Sequence, residues 1–321
     1  MDKKKILLIG FGFIGTNFYE VFKDEYDIAA FDNLDYPCTL VSKLYTGDVM
    51  LWQGDLLNTK AVSDAINGFK PNYIINFAAK SHVDRSINDA ESFLYTNVLG
   101  VETILKAIKG TDIRLVQLST DEVYGDTDVE SLEQSKETDT LKPSSPYSAS
   151  KAAADMLTNA YHRTYGVDVV TVRPTNNYGP YQYPEKIIPF FIKRIAEGKT
   201  LPIYGNGSNI REWLFVEDCV TGIELVMRKG KSGEIYNIGG GVDNRNSNVF
   251  IAGQLEGTNE KFEYIEDRLG HDRRYAVDSD KIRELGWEPE MNLREGLQIT
   301  KDWYNERLDI IKSLEANKHI K

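Results

Sequence analysis

KILLIGFGFIG, residues 5–15, runs from an apolar strand pattern straight into glycines at positions 10, 12 and 15. In such a G-x-G-x-x-G turn Gly10 permits the tight reversal, Gly12 lets backbone approach a pyrophosphate, and Gly15 lets the next helix pack closely on the strand. The helix that opens there points its N-terminal N–H groups at phosphates. Asp32 ends the following apolar run, DIAAFD (27–32), 17 residues after Gly15. A carboxylate there accepts both ribose hydroxyls and repels a 2′-phosphate, which favours NAD over NADP. A plain Gly-rich turn is the rival reading, and the flanking strand and helix patterns argue against it. The MDKKK start is charged and precedes an apolar run, but glycines interrupt that run at once and no small-residue cleavage site follows. It reads as a first strand and not as a signal peptide.

Outward from this loop, short β-rich runs alternate with amphipathic stretches. The runs are LWQGD (51–55), YIINFAA (73–79), IRLVQLST (113–120) and VDVVTVRP (167–174); the helical patterns cover 15–24, 59–68, 91–108 and 147–165, the last closed by Gly166. Alternation of this kind predicts an α/β fold, a Rossmann-type doubly wound parallel sheet. Beyond about residue 175, Pro180, Pro184, Pro189 and Pro202 punctuate the chain and Gly205 opens a turn. We therefore expect residues 1–175 to form an NAD-binding domain, rejoined by about 212–245 through IYNIGGG (235–241). Residues 176–211 and 246–321 would form a smaller mixed α/β substrate lobe. The charged tail from about 312 reads as a frayed helix end.

Composition narrows the function classes. With 38 basic against 49 acidic residues the chain carries a net charge of −11, so nucleic acid and anionic membranes are repelled by its average field. No run of 18 apolar residues is present. Cys38 and Cys219 lie far apart without metal-ligand spacing, so neither a disulfide framework nor a metal site is expected, and a reducing cytoplasm fits.

The chemistry is carried by Thr120-Asp121-Glu122, at the end of a strand, and by Tyr147 and Lys151 in YSASK (147–151). A Tyr and a Lys four apart share a helix face, so the ammonium is placed to lower the phenol pKa and make it a base. Taken alone, the pair equally describes a core Tyr beside a solvated Lys. Its position after PSSP (143–146), in a chain already carrying a dinucleotide loop, favours catalysis. Two neighbouring carboxylates resist joint ionisation, so one of Asp121 and Glu122 is expected to keep its proton. Asp55 has two readings, an adenine contact or a helix cap. Phe77-Ala78-Ala79 leaves room for a ligand at the strand end.

AAKSHVDRSI (78–87), STDEVYGD (119–126), PSSPYSASK (143–151), NNYGPYQYPEKIIP (176–189), PIYGNGSNIREWLFVED (202–218) and GHDRRYAVD (270–278) together resemble an extended short-chain dehydrogenase/reductase of the nucleotide-sugar 4,6-dehydratase group, dTDP-glucose type. The resemblance covers nearly the whole chain. It implies that Tyr147 is the C4 base, assisted by Lys151; that Thr120 hydrogen-bonds O4; that Glu122 removes the C5 proton; and that Asp121 protonates the departing C6 hydroxyl. Oxidation at C4 is what makes the C5 proton removable. It further implies tightly bound NAD, regenerated each cycle, against Gly10, Gly12, Phe13, Ile14, Gly15, Asp32, Asn33, Asp55, Leu56, Phe77, Ala78, Ala79, Thr96, Tyr147, Lys151 and Asn177. A nucleotide-diphosphate hexose would meet Ser81, Thr120, Asn176, Glu185, Lys186, Pro202, Ile203, Tyr204, Arg211, Asn246, Arg268 and His271. Arginine suits the diphosphate because its planar fork binds two oxygens together, and Lys186, Arg211, Arg268, Arg273 and Arg274 are candidates to offset the overall negative charge. Helices 91–108 and 147–165 are expected to pair with their copies in a homodimer.

Departures from the family pattern are Ile9 for a usual Gly, Lys80 for a common Glu, Leu269 for a usual Pro, and a shortened 247–267. They leave the nucleotide open between dTDP and UDP. Rival readings are a nucleotide-sugar 4-epimerase, which has no use for an acid–base pair, and a decarboxylase, which usually has Ser in place of Asp121. More remote is a dinucleotide-binding protein without turnover.

Overall fold

The computed structural model describes residues 3–35, 38–44, 47, 49–128, 130, 133–257 and 261–314. Of the expected tail from about 312, residues 315–321 lie outside the described residues.

Twelve strands form among the described residues: β1 (Lys5–Ile9), β2 (Asp27–Asp32), β3 (Met50–Gln53), β4 (Tyr73–Asn76), β5 (Arg114–Leu118), β6 (Val169–Pro174), β7 (Asn176–Tyr178), β8 (Leu201–Tyr204), β9 (Ile210–Phe215), β10 (Ile235–Ile238), β11 (Arg245–Ser247) and β12 (Phe262–Ile265). Seven of them pair in the order β10-β6-β5-β4-β1-β2-β3, each pairing parallel. Parallel neighbours need crossovers, and these are supplied by α1 (Phe13–Phe22), α2 (Thr39–Leu44), α3 (Thr59–Phe69), α4 (Val83–Asn88), α5 (Ala90–Leu94), α6 (Gly100–Ile108) and α7 (Pro146–Tyr165). The predicted Rossmann-type doubly wound sheet is thus what forms. Helices α8 (Ile187–Ala196) and α9 (Val216–Lys229) follow, and α9 packs on the main sheet.

Alternation along β1 explains why its run is apolar after Lys5. Ile6 and Leu8 face one side with Phe18 of α1 and Val220 and Ile223 of α9. Leu7 and Ile9 face the other with Val62 and Ile66 of α3 and Ile104 of α6. Both faces are covered, so no strand position has to be polar for solvent.

The smaller lobe has a three-stranded sheet, β11-β9-β7, and a two-stranded one, β12-β8. Its separate core joins Ile188, Phe191, Trp213 and Phe215 to residues of α10 (Asn248–Glu256) and of the closing helix Leu293–Asn305. The chain passes between the main sheet and this lobe at Thr175, between Phe215 and Val216, and at Gly239–Gly241, and it crosses twice more after β12, since Ile282 and Trp287 pack in the main core before Leu293 rejoins the lobe.

Two details differ from the sequence pattern. Residues 91–108 are not one helix, because a π-helical turn, Tyr95–Leu99, joins α5 to α6. That turn rotates Asn97 inward, where its amide accepts from the Lys80 N–H at 2.9 Å and donates to the Lys80 carbonyl and the Ser150 hydroxyl. Helix α7 starts one residue early, at Pro146, because Ser145 and Ser148 form a capping box. Gly166 ends it at φ 70°.

Candidate active site

The sheet order reverses between β1 and β4, and the carboxyl edge there is where such sheets take ligands. A cleft of about 530 Å³ opens at that edge. Gly10, Gly12, Phe13, Ile14, Gly15, Asp32, Asn33, Asp55, Leu56, Phe77, Ala78, Ala79, Thr96 and Asn177 all line it. So do Ser81, Thr120, Asp121, Glu122, Tyr147, Lys151, Asn176 and Lys186.

The glycine loop is shaped by three different constraints. Gly10 has φ 92°, and a Cβ there would stand 2.5 Å from the Ala78 nitrogen. A Cβ on Gly15 would fall on the Gly10 carbonyl oxygen, which is how helix α1 comes close to the strand. At Gly12 the nearest atom to such a Cβ is Cys38 Sγ at 3.7 Å, so backbone there faces the cleft. Asp32 is buried at the end of β2 and accepts from the N–H groups of Phe11 and Leu34, each at 2.6 Å. Asp55 accepts from the Leu57 N–H at 2.8 Å in the turn before α3, but the cap of that helix is Asn58, so Asp55 does not take the helix-cap role. At the far side, Asn177 Oδ1 and Thr175 Oγ1 are buried without a partner. A glycine-lined helix N-terminus, a buried carboxylate at the ribose position and unpaired polar atoms fit a dinucleotide.

Thr120, Asp121 and Glu122 follow β5, on a 3-10 turn, Asp121–Tyr124. Asp121 is 2% exposed and its Oδ2 has no partner. Burial, then the neighbouring charges of Glu122 and Glu212, push its carboxyl well above the usual range, against the opposing pull of Arg211. Burial also raises Glu122, which the cations of Arg268, Lys186 and Arg211 draw back down. Of the pair, Asp121 is therefore the carboxyl pushed further toward its neutral form.

The Tyr–Lys pair behaves differently from its sequence reading. Both are buried, but the Lys151 ammonium donates to the Leu118 carbonyl at 2.6 Å. Burial, and then the charge of Glu122, raise the Tyr147 phenol, while a hydrogen bond from Thr120 lowers it. Burial lowers Lys151 to about 8, opposed by Asp155. The spacing fixed which face the two share; it did not reveal that a strand carbonyl competes for the ammonium.

The remaining substrate candidates, Lys186 apart, lie outside the cleft lining. Arg211, on β9, donates to the Asp272 carbonyl at 2.9 Å and lies over the Tyr275 ring at 4.4 Å. Arg268 lies 3.6 Å from Asp84, with its Nε unpaired. Lys186 donates to the Ser81 carbonyl at 2.7 Å, and Glu185 pairs with Arg85 at 3.1 Å. Asn246 registers opposite Arg211 across the β11–β9 pair. His271 pairs with Asp267 at 2.6 Å, its ring 6.2 Å from that of Tyr204. Pro202 and Tyr204 are half-buried, but Ile203 alternates to the opposite face of β8 and packs into the lobe's core. Of the five basic candidates, Lys186, Arg211 and Arg268 act on Glu122. Arg273 is spent on exposed Asp126 at 2.9 Å, and Arg274 donates to the Thr127 hydroxyl.

Sequence reading missed Cys38, whose thiol lies 3.4 Å from Asp32, and Gln182, which also lines the cleft. Neither has a local pattern. Thr175 was findable, since it sits between the β6 run and Asn176 at the ligand edge.

Comparison with known proteins bears on the whole chain. The family model described as GDP-mannose 4,6 dehydratase matches residues 9–300. The low-salt glycan biosynthesis protein Agl12 of Haloferax volcanii is 44% identical, over 92% of this chain and 96% of its own. A dTDP-glucose 4,6-dehydratase of Xanthomonas campestris is 40% identical, over 92% of this chain and 91% of its own. The crystal structure of dTDP-glucose 4,6-dehydratase from Bacillus anthracis in complex with NAD gives a TM-score of 0.88 at 40% identity, covering 97% of this chain and all of that one. Fold, cleft and these matches together show that the chain belongs to the GDP-mannose 4,6-dehydratase family, within the extended short-chain dehydrogenase/reductases.

Proposed function

We propose that the protein is a nucleotide-sugar 4,6-dehydratase that converts dTDP-glucose to its 4-keto-6-deoxy product. The observation that carries this reading is the pair on the turn after β5: Asp121, buried with an unpartnered Oδ2 and pushed toward its neutral form, beside Glu122, which the cations of Arg268, Lys186 and Arg211 draw back toward its charged form. An epimerase needs no such pair, whereas expelling water needs both an acid and a base. The chemistry NAD supplies when bound is a reversible hydride store for C4 and then C6. Tyr147 takes the C4 hydroxyl proton while Thr120 hydrogen-bonds O4. Glu122 removes the C5 proton and Asp121 delivers one to the leaving C6 hydroxyl; a proton then returns to C5 as C6 is reduced, which completes the 4-keto-6-deoxy product. Gly10, Gly12, Phe13, Ile14, Gly15, Asp32 and Asn177 hold the dinucleotide. The diphosphate is met by Arg211 and Arg268. On this reading the main sheet is the NAD domain, and the lobe of β7–β9, β11 and β12 takes the sugar nucleotide.

Two further parts of the reading concern the whole protein. It works as a homodimer: Leu94, Tyr95, Leu99 and Met156 are exposed apolar side chains on α5, its π turn and α7, the elements that would meet in a four-helix interface. The compartment is the reducing cytoplasm, a reading supported by two buried free thiols. No described helix is long and apolar enough to cross a membrane.

The test is incubation of the purified protein with dTDP-, UDP-, CDP- and GDP-glucose. A 4-keto-6-deoxy product from dTDP-glucose, seen by its absorbance in alkali, is expected. Formation of the galactose epimer instead overturns the assignment.

A further inference from the structure

Behind the reacting groups lies a run of four buried side chains that the backbone from Ser119 to Tyr124 closes into a ring. The Ser119 hydroxyl donates to Asp155 Oδ2 at 2.9 Å, and Arg173 Nε donates to the same oxygen at 2.9 Å. Arg173 Nη1 donates to the Tyr124 hydroxyl at 2.8 Å, and its guanidinium lies 4.8 Å over the Tyr124 ring. Ser119, Tyr124, Asp155 and Arg173 are all below 7% exposed. Ser119 and Tyr124 are the two ends of the segment that carries Thr120, Asp121 and Glu122. The ring therefore pins that segment fore and aft to one ion pair, made between α7 and β6. Tyr124 is held further by donating to Asn237 Oδ1 of β10 at 2.7 Å.

Asp155 also follows Lys151 by one helical turn, as Lys151 follows Tyr147, so one face of α7 presents all three. Leu118 accepts from Lys151 and the adjacent Ser119 donates to Asp155. Strand end and helix are thus fastened at two consecutive residues. An isolated buried ion pair seldom stabilises a fold beyond what apolar packing would. Its geometric use here is clearer than any energetic one.

We propose that Asp155 is a positioning residue: through Ser119, Arg173 and Tyr124 it fixes the Thr120–Glu122 segment against the helix face that bears Tyr147 and Lys151. This rests on the dehydratase reading for what the segment does, but not for its being fixed. Displacement of a reacting group by about 1 Å costs on the order of 10²-fold in rate.

The test uses Asp155→Asn and Tyr124→Phe in the full-length protein, with steady-state kinetics on dTDP-glucose and hydrogen exchange by mass spectrometry. Tyr124→Phe removes only a hydroxyl, so it keeps the test decisive if Asp155→Asn fails to fold. Exchange of the 119–125 amides is expected to quicken roughly tenfold while β1 and α1 stay protected. In parallel, kcat is expected to fall about tenfold for Tyr124→Phe and further for Asp155→Asn, with KM within about twofold. Uniformly faster exchange throughout the chain would reduce the ring to ordinary structural support and overturn the proposal. So would a loosened segment with unchanged kcat, or a lowered kcat with unchanged exchange. If the wild-type protein does not turn over dTDP-glucose, the dehydratase reading fails by itself, and the exchange measurement alone decides this one.

Discussion

Asp121 and Lys151 sit in opposite electrostatic situations, with burial the largest cause of each. Burial favours the neutral form of each, raising the acid and lowering the base. On the proposed mechanism Asp121 must hold a proton to release hydroxide as water, and Lys151 must hold one to stabilise the Tyr147 phenolate. Both protons are lost as pH rises, so kcat is expected to decline on the alkaline side, starting near the Lys151 value of about 8. A kcat still rising well above that pH would reject the assignment. The raised Asp121 also works against the fold. Below about 3.8 the carboxyl is protonated in both states; as pH rises toward the folded value, only the unfolded chain ionises readily, and stability is lost. Asp121→Asn removes that loss. It is expected to unfold at a higher temperature than the parent at pH 8, yet to turn over roughly 10²-fold more slowly while still oxidising C4. Calorimetry and the nicotinamide absorbance check the two halves.

Among the elements, the glycine loop separates binding from folding. Gly15 is needed by packing, since any side chain there meets the Gly10 carbonyl. Gly12 has space for a Cβ, and the space is the cleft. Gly12→Ala is therefore expected to keep its melting temperature without added cofactor while its affinity for NAD falls about tenfold or more. Gly15→Ala is expected to lose stability as well. Equal affinities for NAD in the parent and Gly12→Ala would remove this loop from the cofactor site. The same contrast shows how far the sequence could be read. The loop, Asp32 and the α7 face are legible because each is set by spacing within one strand–turn–helix unit. The destination of the Lys151 ammonium is not, because Leu118 is 33 residues away. Nor is the inward turn of Ile203, since a four-residue strand has two faces and its sequence does not say which one the core takes. The Ser119–Asp155–Arg173–Tyr124 ring escapes notice for the same reason: each member looks ordinary where it stands, and only the fold closes the circuit.

Taken whole, the molecule exposes its large apolar side chains unevenly. Leu99 and Met156 are 44% and 54% exposed on the elements assigned to dimerisation. Leu99→Glu and Met156→Glu together are expected to give monomers by light scattering at micromolar concentration, because like charges would meet across a two-fold axis. A parent protein that is already monomeric there would overturn the dimer. The repeated passages of chain between the main sheet and the smaller lobe, the last of them through Ile282 and Trp287, have a mechanical result. A lobe stitched on by that many lengths of backbone is held in register with the cleft, while the loop from Gly10 to Gly15 belongs wholly to the frame.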